Sequence, residues 1–196
     1  MNNKIPFVIE KNDKDGERAY DLYSRLLKDR IIFVTATFDQ DMSDAIVAQL
    51  LFLEADDPDK EIYMYINSPG GRVTSMYSIY DTMKYVKPDI VTIGYGQCCS
   101  AGSFILAAGT KGKRYALPNT DIMIHELSSG TEGKMHDMRS RFAHTEKLYD
   151  KMAKHYVEMT GQRLNKIKKD MEIDHWLSAE EAKKYGIIDK VEYKRV

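Results

Sequence analysis

The stretch VTIGYGQCCSAGSF at 91–104 constrains this chain more than any other. Val91, Thr92 and Ile93 form a β-branched run that reads as a buried strand, ending in Gly94-Tyr95-Gly96. A run of small residues with Ser100 at its centre follows, then the apolar helix pattern of Phe104 to Ala108. The order is strand, tight turn, serine, helix start. Backbone N–H groups at a helix N-terminus lack intrahelical partners and favour negative charge. A serine placed there can attack a carbonyl while those N–H groups hold the developing oxyanion. It can equally do no more than cap the helix, the commonest use of such a serine.

The flanking segments say what kind of sheet this turn belongs to. Ile31 to Val34 and Glu61 to Asn67 read as strands, and helical spacing recurs between them from Asp41 or Ser43 to Leu53. A further helix is expected from Val73 to Val86, stopped by Lys87-Pro88-Asp89 before the strand at 90–93. Strand and helix at this spacing suit βαβ crossovers and a mainly parallel sheet. Upstream, 1–16 reads as a flexible start, and Tyr20, Tyr23, Leu26 and Leu27 predict a helix over 17–28. Downstream come short strands at 114–117 and 122–124, the latter running into His125. The polar segment ELSSGTEGK at 126–134 reads as exposed and extended, and Met135 to Thr160 as a long helix with a sparse apolar stripe. So thin a stripe means a solvated helix or one packed on another subunit. A short helix to about Met171, a capping box at Ser178 to Glu181 and a last strand at 187–191 complete the pattern. No repeat, linker or low-complexity block divides the 196 residues, so one domain is expected over 1–196.

Bulk properties exclude several function classes. With net charge −1 and mixed signs along the chain, no basic stripe points to nucleic acid. No apolar run is long enough to span a bilayer, and the N-terminus lacks a secretory signal. The only cysteines, Cys98 and Cys99, are adjacent and build no disulfide framework, which makes the cytoplasm the expected compartment. No His/Cys spacing resembles a metal site.

A nucleophilic serine needs a base. His136, His144 and His155 fall on the polar long helix, where solvated histidines are the default, and His175 between Asp174 and Trp176 reads as a surface residue. His125 ends an apolar strand, where open α/β sheets place ligand sites, although it also suits a satisfied edge histidine. The carboxylate that would orient it is open among Asp121, Glu126, Asp170, Glu172 and Asp174. Asp121 is too far along the same strand, and Glu126 points to the opposite face. Ser68-Pro69-Gly70-Gly71 is either an ordinary turn or a place where backbone approaches substrate closely, its N–H paired with that of Ala101 on an oxyanion.

These pieces resemble the Clp protease proteolytic subunit family over nearly the whole chain. The resemblance rests on GERAYDLYSRLLKDRIIF at 16–33, IVAQLLFLEA at 46–55, EIYMYINSPGG at 61–71, IYDTMKYVKPDI at 79–90, GQCCSAGSFILAAGTKGKRYALPN at 96–119 and LSAEEAKKYGIIDKV at 177–191. It implies an α/β, crotonase-like spiral of ββα units, with residues 126–160 forming a protruding handle region that interlocks two rings. It implies a serine endopeptidase in which Ser100 is the nucleophile, His125 the base and Asp174 the orienting carboxylate. Gly71 and Ala101 would form the oxyanion hole. Substrate would lie as an added strand along Gly71, Arg72 and Val73 and the segment at Leu127. The implied assembly is two stacked homo-heptameric rings fed unfolded polypeptide by a Clp-family AAA+ ATPase, which consumes the ATP; the chain itself needs no cofactor or metal. Residues 1–16 would form an axial gate, and Leu51, Tyr63 and Tyr65 a docking pocket for the ATPase, unless those aromatics are plain core.

Departures from the family pattern are local. Cys98-Cys99 stand where Ala-Ala is usual, which makes Cys99 a rival nucleophile, and Ala101 replaces a common Met. His125-Glu126-Leu127 replaces His-Gln-Pro, and Ile173 in Glu172-Ile173-Asp174 replaces an arginine used in ring–ring ion pairing. The alternative this supports is a largely structural ring subunit, active only beside a paralogous proteolytic subunit. An acyl-CoA enzyme of the crotonase type is a third reading, disfavoured by the Ser/His/Asp match.

Overall fold

The computed structural model describes residues 5–12, 16–130 and 132–194. In chain order the elements are β1 (Phe7–Asn12), β2 (Gly16–Asp21), α1 (Leu22–Lys28), β3 (Ile31–Thr35), α2 (Gln40–Asp56), β4 (Ile62–Ser68), α3 (Val73–Tyr85) and β5 (Ile90–Cys99). They continue with α4 (Ala101–Ala107), β6 (Arg114–Ala116), β7 (Asp121–Ile124), α5 (Met135–Thr160), α6 (Leu164–Met171), β8 (His175–Leu177), α7 (Ala179–Tyr185) and β9 (Lys190–Val191).

A mixed α/β fold with a largely parallel sheet results, as the alternating pattern predicts. The strand order is β3-β4-β5-β6-β9, all parallel, and β7 joins β5 in parallel and β8 antiparallel. One face of β3 and β4 points Ile32, Val34, Ile62, Met64 and Ile66 into the core, all 0% exposed. Against them pack Ile46, Leu50 and Leu53 of α2 and Met76, Ile79 and Met83 of α3. Each such side chain taken fully from water contributes roughly 1.5–3 kcal/mol before chain entropy is subtracted. The opposite face carries Phe33, Tyr65 and Tyr95 in an aromatic row, with Phe33 stacked on Tyr65 at 5.6 Å.

β5 changes partners midway. Thr92 to Gly94 pair with β6, whereas Gln97 to Cys99 pair with β7. The Gly94 carbonyl accepts from Leu117 N–H at 2.9 Å and from the Thr120 hydroxyl at 3.0 Å, so the chain leaving β6 is tied down where the exchange occurs. This brings the C-terminal ends of β4, β5 and β7 together. Arg114 staples the far side: it is 3% exposed, pairs with Asp189 at 2.6 Å and donates to the carbonyls of Met159 and Gly186.

Several expectations are corrected. The expected helix over 17–28 is only α1; residues 16–21 form β2, paired with β1 in a hairpin from Phe7↔Asp21 to Asn12↔Gly16. Cross-strand pairing overrides the helical spacing of Tyr20, and Asp21 caps α1 by accepting from Ser24 N–H at 3.0 Å. Of the expected flexible start, residues 7–12 and Gly16 lie in strands and residues 5 and 6 precede β1 without regular structure; 1–4 and 13–15 lie outside the described residues. The α2 cap is Asp39 rather than Asp41 or Ser43, which is buried. β5 runs through its glycines to Cys99, and β9 is limited to Lys190–Val191. His155 is largely covered rather than fully solvated. It packs on Tyr77, Tyr80 and Phe104 and meets Tyr80 Oη at 3.2 Å. The long helix matches its expected bounds, and its buried residues, Met152, Ala153 and Tyr156, all lie in the second half. Phe142 and Met135 in the first half are more than half exposed. Among the described residues no helix is long and apolar enough to cross a membrane.

Candidate active site

Ser100 sits at the elbow between β5 and α4 with φ 55 and ψ −119, a conformation that costs a residue with a Cβ roughly 1–3 kcal/mol. Such strain persists only where surroundings over-determine it. Here the Ser100 N–H donates to the Met123 carbonyl at 2.8 Å, and its own carbonyl accepts from Phe104 N–H at 3.0 Å. The side chain does not cap the helix, so the capping role that the pattern allowed is not the one adopted. Among the described residues the Ser100 hydroxyl has no hydrogen-bond partner, and the residue is half-buried.

His125 and its carboxylate follow from strand register. The pairings Ile122↔Leu177, Met123↔Trp176 and Ile124↔His175 put Asp174 opposite His125 one step further on. His125 Nδ1 and Asp174 Oδ1 are 3.2 Å apart. With Nδ1 donating to the carboxylate, Nε2 carries the lone pair. The same β7 runs parallel to β5 in the register Cys99↔Met123, so Ser100 and His125 leave neighbouring strand ends on the same edge of the sheet. Of the five carboxylates open in the sequence, Asp174 is the one that pairs with His125. Asp170 is taken by Lys166 and by the Tyr185 hydroxyl at 2.7 Å, and Glu126 is exposed with its N–H on the Met171 carbonyl.

The glycine pair closes the third side. Gly70 has φ +100 and abuts the serine: a Cβ there would lie 2.6 Å from Ser100 Cβ and 3.1 Å from Oγ. Gly71, at φ +151, forms a parallel bridge with Phe38, in which Phe38 N–H donates to Gly70 O and Arg72 N–H to Phe38 O, both at 2.8 Å. In a parallel bridge the flanking residues make the bonds, so Gly71's own N–H and C=O turn to the opposite, open side. Arg72 is exposed and Val73 half-buried beside it, with Leu127 half-buried just past His125. Ala101 is the first residue of α4, and its N–H has no intrahelical acceptor.

The two cysteines differ from the serine in accessibility and acidity. Cys98 is 0% exposed with Sγ 3.2 Å from the Ile66 carbonyl, and burial pushes its thiol up. Cys99 is 3% exposed; burial first, then the charges of Asp121 and Asp174, raise its thiol. A raised thiol yields little thiolate, so Cys99 is a poor rival to Ser100.

Tyr63 and Tyr65 do not lie in the core. They line a groove of about 660 Å³ on the outer sheet face together with Val91, Ile93, Tyr115 and Leu117. Leu51 is 43% exposed on α2, outside this groove. Among the described residues no group of acidic, histidine and cysteine side chains is arranged to hold a metal ion.

A family model described as Clp protease matches residues 14–195. The matched span takes in the elbow, the glycine turn, His125 and Asp174, and with it the chain belongs to the Clp protease family, as a proteolytic subunit.

Proposed function

We propose that this subunit is a serine endopeptidase that uses Ser100, His125 and Asp174. The observation that carries the reading is the pairing of His125 with Asp174 at 3.2 Å on the strand end beside a serine held at positive φ. In the first step Ser100 Oγ attacks the scissile carbonyl carbon while its proton passes to His125 Nε2. Asp174 stabilises the imidazolium that forms. The carbonyl electron pair moves to oxygen, where the N–H groups of Gly71 and Ala101 stabilise it. Collapse breaks the C–N bond, the proton on Nε2 goes to the leaving amine, and water activated by the same nitrogen hydrolyses the acyl-enzyme. Substrate adds as a strand along Gly71, Arg72 and Val73 and the segment at Leu127. Main-chain hydrogen bonds then do most of the holding, which suits weak sequence preference.

The assembly we propose is two stacked heptameric rings of this chain, each subunit a single crotonase-like domain, with residues 126–160, α5 included, as the handle region between rings. The exposed Phe142 and Met135 there support packing on a second subunit. A Clp-family AAA+ ATPase would feed polypeptide, use the ATP and dock at the Tyr63 and Tyr65 groove and at the exposed Leu51. The compartment we propose is the cytoplasm.

Fluorophosphonate labelling tests the mechanism. Labelled Ser100, and loss of peptide cleavage in Ser100→Ala, are expected; label on Cys99, or activity that survives the substitution, overturns the assignment. Ile173, 77% exposed and uncharged, supports a second reading in which the chain is active only beside a paralogue. The mass and peptidase activity of the purified chain alone separate the two.

A further inference from the structure

Ser103 lies inside α4, one turn beyond Ser100, and is 0% exposed. Its hydroxyl is 2.8 Å from the Ser100 carbonyl and 2.8 Å from the Met123 carbonyl. The phenol oxygen of Tyr156, from the long helix α5, is 3.0 Å away on the remaining side. Proton inventory assigns the directions. Carbonyls only accept, so the bridge needs the single Ser103 hydrogen to be shared between the two in a three-centre bond, and with that hydrogen so used the Tyr156 hydroxyl donates to Ser103 Oγ. Tyr156 is 2% exposed, and Phe104 sets its ring edge-to-face at 5.3 Å, so the phenol is fixed in place by packing.

The two carbonyls that Ser103 bridges have special positions. One belongs to the residue at positive φ. The other accepts the N–H of that same residue and lies two positions before His125 on β7. One hydroxyl therefore ties the backbone carrying Ser100 to the strand carrying His125, at the point where their separation decides whether Oγ meets Nε2. We propose that Ser103 and Tyr156 are positioning residues for this pair: Tyr156 orients the Ser103 hydroxyl, and Ser103 holds the elbow and the histidine strand in reactive register. Neither touches substrate. The proposal rests on Ser100 being the nucleophile.

Burial raises the Tyr156 phenol above its ordinary range, so it is protonated and able to donate at neutral pH. Helix α4 does not need the bridge to exist, since its own i, i+4 bonds begin with Phe104 N–H on Ser100 O. What the bridge adds is a link between helix and strand.

The test compares Tyr156→Phe and Ser103→Ala with the wild type as the full assembled protein. A fluorophosphonate counts competent Ser100 sites, and peptide turnover is expressed per counted site. The expected result is a kcat per site lower by roughly tenfold in Tyr156→Phe and by up to about a hundredfold in Ser103→Ala, with KM within about two-fold, since misplacement of about 1 Å costs on that order. A purely structural role lowers the number of competent sites or the thermal midpoint and leaves turnover per site unchanged; that result overturns the proposal. So does a parallel change in kcat and KM. Tyr156→Phe keeps the buried ring and decides the matter alone if Ser103→Ala does not fold. Peptide cleavage that persists in Ser100→Ala removes the nucleophile assignment and this proposal with it, and is seen without either positioning variant.

Discussion

Replacing Gly70 by alanine tests how closely the glycine turn is fitted to the serine elbow. The new Cβ would lie 2.6 Å from Ser100 Cβ and 2.9 Å from the Cys99 carbonyl oxygen. Carbon atoms rest at about 3.5–4.0 Å, so the shortfall is about 1 Å. Neither neighbour yields easily, because Ser100 N–H is held on Met123 O and Cys99 is inside a paired strand. A φ of +100 adds conformational strain for a residue with a Cβ. That strain costs roughly 1–2 kcal/mol and overpacking about 1–3 kcal/mol, together about 2–5 kcal/mol. At roughly 2–4 °C per kcal/mol for a chain of this size, the thermal midpoint should fall by about 4–20 °C. Catalysis should suffer more: displacing Oγ by about 1 Å lowers kcat on the order of a hundredfold. Calorimetry and peptide turnover per titrated serine measure the two effects on the same preparation. Gly130→Ala is the control. That glycine has nothing within 4 Å of an added Cβ, so its loss should leave turnover unchanged and stability equal or slightly higher. Wild-type stability and turnover in Gly70→Ala would refute the close approach on which the site geometry depends.

Three further outcomes follow from the same geometry. Asp174→Asn keeps the side-chain shape but cannot hold His125 in the tautomer with a free Nε2, so kcat should drop roughly 10³- to 10⁴-fold, and a loss under about tenfold argues against the triad. Cys99, buried and with a raised thiol, should resist iodoacetamide under native conditions at about pH 7.5, and Cys99→Ala should leave Ser100 labelling intact; fast alkylation that blocks peptide cleavage argues the reverse. Burial pushes the Asp189 carboxyl up, but the Arg114 guanidinium and the N–H groups of Arg114 and Gly112 more than offset this, so it lies below the usual 3.8. A carboxyl lowered on folding stabilises above its unfolded value and loses that contribution as pH falls through the folded one. Asp189→Asn should therefore be destabilised at neutral pH, by about 3 kcal/mol if the buried Arg114 is left unpaired, and the gap from wild type should shrink below about pH 4 in urea titrations. A gap independent of pH argues that the pair is not ionised.

Much of the sheet was legible because its signals are local. Ile62 to Ser68 alternates buried and outward residues, and the capping box at Ser178 and Glu181 forms as its spacing predicts. The hairpin of β1 and β2 was not legible, since Tyr20, Tyr23, Leu26 and Leu27 fit helical spacing and only pairing with residues 7–12 decides that 16–21 is strand. The covering of His155 is hidden from the sequence for a similar reason. Its polar helix suggests solvent, but Tyr77, Tyr80 and Phe104 from two other helices cover it. Ser103 and Tyr156 left no signal at all. Each reads as an ordinary helix residue, and their bond spans 53 positions.

The sequence by itself determined the strand–elbow–helix order around Ser100, the glycines of the adjoining turn and a histidine at a strand end. Residue type and short-range periodicity are enough for each of these. Periodicity leaves five carboxylates open and only the resemblance points to Asp174; the tertiary structure brings it to that histidine through the register of β8 on β7, a pairing of segments about fifty residues apart. It also decided that Ser100 rather than Cys99 faces outward, because both are small, polar and adjacent, and only burial and the charges around them tell the two apart.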